Sequence, residues 1–134
     1  MTVTEAPHFL EDGPADAPWR LVLAHGAGAP MDSPVMTAIA QALAQQGIAV
    51  SRFEFPYMRT RRLEGGRRPP DRAPKLITAW RGTLAAVASQ YPNQRFAIGG
   101  KSMGGRMATL LAAEPDAPSP IGAIVTLGYP FHPP

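Results

Sequence analysis

Phe96-Ala97-Ile98-Gly99-Gly100-Lys101-Ser102-Met103-Gly104-Gly105-Arg106 decides how the rest of this chain is read. The apolar start predicts a buried strand, Phe96 to Gly99. The stretch from Met103 to Ala113 places Met103, Met107, Leu110 and Leu111 at helical spacing. Ser102 therefore sits between glycines where a strand turns into a helix. That arrangement is a nucleophile elbow, which holds the serine Oγ exposed at the end of a sheet. The glycines are needed because a β-carbon in so tight a turn would strike the neighbouring strand or helix.

Working outward, the same alternation recurs. Leu21-Val22-Leu23-Ala24 suits a buried parallel strand that enters the loop His25-Gly26-Ala27-Gly28. Ser33-Pro34 reads as a helix cap and first helical residue, and Gly47 closes that helix. A second strand spans Ile48 to Phe55 and stops at Pro56. The segment from Tyr57 to Ala73, with Gly65-Gly66 and Pro69-Pro70, is expected to be a loop. A helix from Pro74 to Tyr91 carries Ile77, Trp80, Leu84 and Val87 on one face, and Ile121 to Leu127 is the last strand. The first 19 residues read as an irregular lead-in, with a short edge strand near His8 to Leu10. The predicted class is α/β: one domain, 1–134, with a mostly parallel doubly wound sheet and flanking helices. Loops after strands form the functional face of such a sheet. This puts the His25 loop, the arginine-rich segment, Ser102 and the terminal Tyr129–Pro134 segment on one side. Glu114 and Asp116 fall on the other.

Composition narrows the chemistry. The chain has 134 residues, 45% hydrophobic and 17% charged, which fits a globular domain with a core. It has no cysteine, so disulfides, thiolate metal sites and cysteine nucleophiles are excluded. No metal or organic cofactor is implied. The N-terminus is no secretory signal and no apolar run could span a membrane, so the cytoplasm is the expected location. The net charge is +3. Arg59, Arg61, Arg62, Arg67, Arg68 and Arg72 against Glu64 and Asp71 already exceed that excess. Basicity belongs to one segment, which argues against a nucleic-acid surface.

Serine Oγ needs a base to take its proton and donors to hold the oxyanion it creates. The donors are expected to be the backbone N–H groups of Ala27, in the loop after the first strand, and Met103, after the nucleophile. His25 is read as an organiser of that loop. Three further stretches complete the pattern: Leu23 to Asp32, Arg52-Phe53-Glu54-Phe55-Pro56-Tyr57-Met58, and Leu127-Gly128-Tyr129-Pro130-Phe131-His132-Pro133. With Gly99 to Arg106 they resemble the α/β-hydrolase superfamily, from Leu21 onward. More narrowly they resemble a small bacterial branch related to testis-expressed protein 30 and NSL-complex subunit 3.

The resemblance implies a serine hydrolase acting on a small-molecule acyl substrate through an acyl-enzyme on Ser102. In the superfamily an acid and then a histidine follow the serine. After Ser102 this sequence has only Glu114, Asp116 and His132. It is therefore expected to be the N-terminal part of such a domain, with the sheet truncated after Ile121–Leu127. His132 is the one candidate base. Lys101 beside Ser102 reads as a solvated or ion-paired lysine, because adjacent elbow residues point apart. An exposed last strand would allow self-association through the sheet edge.

Two rival readings remain. Gly100-Lys101-Ser102 matches the end of a phosphate-binding loop, but Arg95 stands where that motif requires glycine. The second is a non-catalytic hydrolase-like module that binds through the arginine-rich segment.

Overall fold

The apolar runs form the centre of one five-stranded sheet. In a computed structural model, which describes residues 8–118 and 121–129, the chain runs β1 (Leu10–Asp12), β2 (Trp19–Ala24), α1 (Pro34–Gln45), β3 (Ala49–Phe53), α2 (Pro56–Glu64), α3 (Ala73–Gln90), β4 (Arg95–Lys101), α4 (Met103–Ala112) and β5 (Ala123–Leu127). The sheet order is β1-β3-β2-β4-β5. All neighbours are parallel except β1, which pairs antiparallel with β3. The fold class follows the sequence expectation, and β5 begins two residues later than expected.

Side chains alternate across the sheet, so each strand feeds two cores. Val22, Phe53, Phe96 and Ile98 meet Trp80, Leu84 and Val87 of α3 and Met107, Ala108 and Leu111 of α4. On the other face, Leu21, Leu23, Val50 and Ala97 meet Met36 and Ala40 of α1. Ser33 caps α1, accepting from the Met36 N–H. Two buried arginines tie the antiparallel edge to the sheet. Arg20, 2% exposed, reaches Glu11 at 2.7 Å, Ser51 at 3.0 Å and Gln94 at 2.6 Å. Arg52 pairs with Asp12 at 2.9 Å.

The segment from Tyr57 to Ala73 is not one loop. Its first part is α2, so Arg59, Arg61 and Arg62 are helical and only residues 65–72 connect α2 to α3. Pro56, read as a strand stop, also occupies the first helical position, where its missing N–H costs nothing. Arginine, leucine and glutamate propagate the helix. Burial of Tyr57 and Met58 anchors it, and Gly65 and Gly66 end it with positive φ of 77° and 79°.

Candidate active site

Between β4 and α4 the whole change of direction falls on Ser102, at φ 52° and ψ −116°. It is the one non-glycine residue with positive φ among the described residues. Such a conformation is strained by about 1–3 kcal/mol and persists only where its surroundings impose it. Here the Ser102 N–H donates to Leu127 O at 2.7 Å, and Ser102 O accepts from the Arg106 N–H at 3.0 Å. Ser102→Gly is expected to stabilise the domain by about 1 kcal/mol, because glycine relieves the strain. Urea unfolding of the two proteins measures it; an unchanged or lower midpoint would show that the turn is relaxed.

Glycines let the helix start close against β2. A β-carbon on Gly100 would lie 2.6 Å from Ala24 O and 2.8 Å from Gly104 C. Gly26 in turn passes the elbow so closely that its β-carbon would sit 3.4 Å from Lys101 O and 3.7 Å from Ser102 Cβ. The loop after β2 thus runs beside the serine, with exposed Ala27 next in the chain. Met103 opens α4, where the first N–H groups have no partner within the helix.

His25 is fully buried. Its Nε2 accepts from the Phe55 N–H at 3.1 Å. The ring proton therefore sits on Nδ1, which donates to Gly26 O at 2.6 Å. Burial holds its pKa below the ordinary value, outweighing the Gly26 hydrogen bond that favours the charged form. With both nitrogens engaged, His25 has no free site for a proton.

Three groups to which the sequence reading assigned no role, Tyr57, Glu54 and Arg52, also hold this loop. Tyr57 Oη donates to Ala27 O at 2.9 Å, and burial pushes the phenol up to about 12, so it stays a donor. At the loop's far end, Met31 N–H donates to Glu54 Oε2 at 3.2 Å and Met31 O accepts from Arg52 at 2.9 Å. Glu54, its side chain 2% exposed, pairs with Arg62 at 2.6 Å, and Arg62 also reaches Asp32 at 2.7 Å. Burial alone would raise the Glu54 carboxyl; Arg62 and the Met31 N–H outweigh it and hold it below the usual range. The Arg62 hydrogen bond does the same for Asp32. A carboxylate inside the apolar run Phe53-Glu54-Phe55 was the available signal. Its partner, eight residues on, could not be singled out among so many arginines.

The other sequence candidates separate cleanly. Lys101 is half-buried and His8 is exposed in the lead-in. Glu114 and Asp116 lie past the far end of α4, both bound by Arg81 at 2.9 and 3.3 Å. His132 lies outside the described residues. No helix among the described residues is long and apolar enough to cross a membrane.

The model of a family described as "Alpha/beta hydrolase domain" matches residues 17–134. The chain belongs to the α/β hydrolase family. No curated protein matches it. Among solved structures, the chain is similar to an α/β serine hydrolase homologue from Coxiella burnetii, with 19% identity and a TM-score of 0.61, covering 78% of this chain and 49% of that one. It is similar to an α/β serine hydrolase without lid from Xanthomonas campestris, with 24% identity, a TM-score of 0.60, and 75% and 47% coverage. A third is Est1E from Butyrivibrio proteoclasticus, bound to ferulic acid, with 17% identity, a TM-score of 0.61, and 79% and 43% coverage. This α/β hydrolase chain therefore spans about half the length of the solved structures it resembles.

Proposed function

We propose that this chain carries the nucleophile and oxyanion half of a serine hydrolase site, for esters or related carboxylic derivatives. The strained turn at Ser102, with the loop after β2 held against it, carries the reading. Ser102 Oγ would attack the substrate carbonyl carbon while a base takes its proton. The Ala27 and Met103 N–H groups would donate to the resulting oxyanion. Collapse expels the protonated leaving group, and water then releases the acid from the acyl-enzyme, restoring the serine. His25 and Tyr57 act as positioning residues for Ala27. Neither described histidine suits the base, so the base lies outside the described residues, His132 being the candidate within this sequence. The narrower affinity, to testis-expressed protein 30 and NSL-complex subunit 3, and a cytoplasmic location belong to this proposal. Turnover depends on that base; oxyanion stabilisation and positioning alone leave roughly 10³-fold over water.

Intact-mass analysis after exposure to a fluorophosphonate probe tests the reading. A single adduct is expected on the wild-type chain and none on Ser102→Ala. A folded wild-type protein that takes no adduct would overturn it. The alternative, a binding module using the arginine-rich segment, would then be tested by oligonucleotide binding at physiological salt.

Self-association is the second part of the proposal. Ala123-Ile124-Val125-Thr126-Leu127 forms a sheet edge with no charge, proline or glycine, and Ile124 and Val125 are exposed. The opposite edge, by contrast, is three residues long and acidic. Unguarded edges pair with other chains. Light scattering is expected to show a mass above the monomer that rises with concentration and falls in Val125→Lys. A monomer at the highest concentration would argue against it.

A further inference from the structure

The arginines of residues 59–72 have different surroundings. Arg62 is taken up by Glu54 and Asp32, and Arg68 pairs with Glu64 at 3.5 Å. Arg61 is half-buried, and its guanidinium makes no ion pair or hydrogen bond among the described residues. An unpaired guanidinium keeps all its donors available to an anionic ligand. Arg61 also lines a cavity of about 320 Å³ with Pro30, Met58, Arg62 and Gly66. Pro30 belongs to the loop that carries Ala27. Met58 follows Tyr57, whose hydroxyl holds the Ala27 carbonyl. The cavity therefore opens beside the loop that would hold the oxyanion. The Arg61 charge reaches both His25 and Tyr57, disfavouring the charged imidazole and favouring the phenolate.

We propose that Arg61 is a substrate-binding residue that takes a carboxylate carried by the substrate, so that the site accepts half-esters of short dicarboxylic acids. This rests on the reading of Ser102 as nucleophile. The carboxylate is chosen over phosphate on charge and shape. One unpaired guanidinium offers a two-donor edge that matches a carboxylate. A phosphate dianion would call for a second free cation, and the neighbouring Arg62 is already neutralised by two carboxylates.

Calorimetric titration of the purified chain with glutarate tests the proposal, with glutaramide as the uncharged control. Saturable glutarate binding is expected in wild type and Ser102→Ala, with none for glutaramide. Arg61→Met should weaken it by about tenfold or more, Arg61→Lys by less, and Arg67→Met and Arg72→Met not at all. Arg61→Met and Arg61→Lys are expected to melt at the wild-type temperature, which separates lost binding from misfolding. Absence of glutarate binding in wild type, an equal loss in Arg67→Met, or tighter binding of inorganic phosphate would each overturn the assignment. Fluorophosphonate labelling separates the two failures. Labelling of Ser102 without glutarate binding sinks the carboxylate site and leaves the nucleophile. Glutarate binding lost in Arg61→Met, with no labelling, supports the carboxylate site and sinks the nucleophile.

Discussion

Gly104→Ala is expected to destabilise the domain by about 3 kcal/mol, a large part of the ~5–15 kcal/mol typical of such folds. On helix propensity alone the change should help, since alanine is favoured over glycine by about 1 kcal/mol in a helix. The surroundings reverse the sign. A β-carbon on Gly104 would run into His25 O, and would lie 2.8 Å from Ala24 Cβ and 2.9 Å from Ala24 O. These are mostly backbone atoms at the end of β2, hydrogen-bonded on both sides to β3 and β4. They cannot swing aside as a flexible side chain can. Nor can α4 back away, because Trp80 Nε1 donates to Gly104 O at 3.2 Å and Met107, Ala108 and Leu111 are buried beneath it. Gly82 in α3 is the control: nothing lies within 4 Å of its added β-carbon, so Gly82→Ala should stabilise by roughly 0.5–1 kcal/mol. Urea midpoints of the two variants should move in opposite directions. A Gly104→Ala protein as stable as wild type would mean that α4 does not start against β2.

His25→Ala is expected to be as damaging, at about 3–4 kcal/mol. The change removes a fully buried ring packed edge-on to Phe55 and Tyr57, at 5.1 and 5.9 Å between centroids. It also leaves the buried Phe55 N–H without its acceptor. The wild-type protein should show a matching pH dependence. Because burial lowers the His25 pKa below the ordinary 6.5, the unfolded chain takes up a proton before the folded one does. The stability due to neutral His25 is complete above about pH 6.5. It is lost as pH falls through that value towards the lower folded one, by at most about 1.4 kcal/mol per pH unit. Glu54 and Asp32, also lowered, add losses of the same sign only below their ordinary range near pH 4. Denaturant midpoints at pH 7.5 and 5.5 should therefore separate for wild type and coincide for His25→Ala. A wild-type midpoint that ignores this window would contradict the neutral Nδ1–H ring.

Where sequence and structure agree, the signal was short-range. The turn at Ser102 is written in adjacent glycines, and the start of α1 in Ser33-Pro34. The strands show as apolar runs bounded by breakers, because a strand buried on both faces has no choice of surface. Alternation of such runs with amphipathic stretches then leaves few topologies, and a mostly parallel sheet followed from that. α2, expected as a loop, is where local signal ends. Seventeen residues rich in arginine, glycine and proline look polar and broken, yet Tyr57 and Met58 find apolar surface that no local window contains.

Charge pairing shows the same limit. Sequence proximity sets Arg62 against Glu64 and Asp71, whereas the fold gives it Glu54 and Asp32, the second of them 30 residues away. Whether an arginine is neutralised or available is thus a property of the packed molecule, and the separate fates of Arg61 and Arg62 follow from it. By itself the sequence determined the α/β class, the parallel core and the position of the strained serine, since covalent geometry and hydrophobic periodicity act over a few residues. Only the tertiary structure decided the tautomer of His25, the bracing of the Ala27 loop by Tyr57 and Glu54, and that Arg62 is neutralised while the Arg61 guanidinium is not. Those depend on groups far apart in the chain, whose distances are set by how helices and sheet pack rather than by spacing along it.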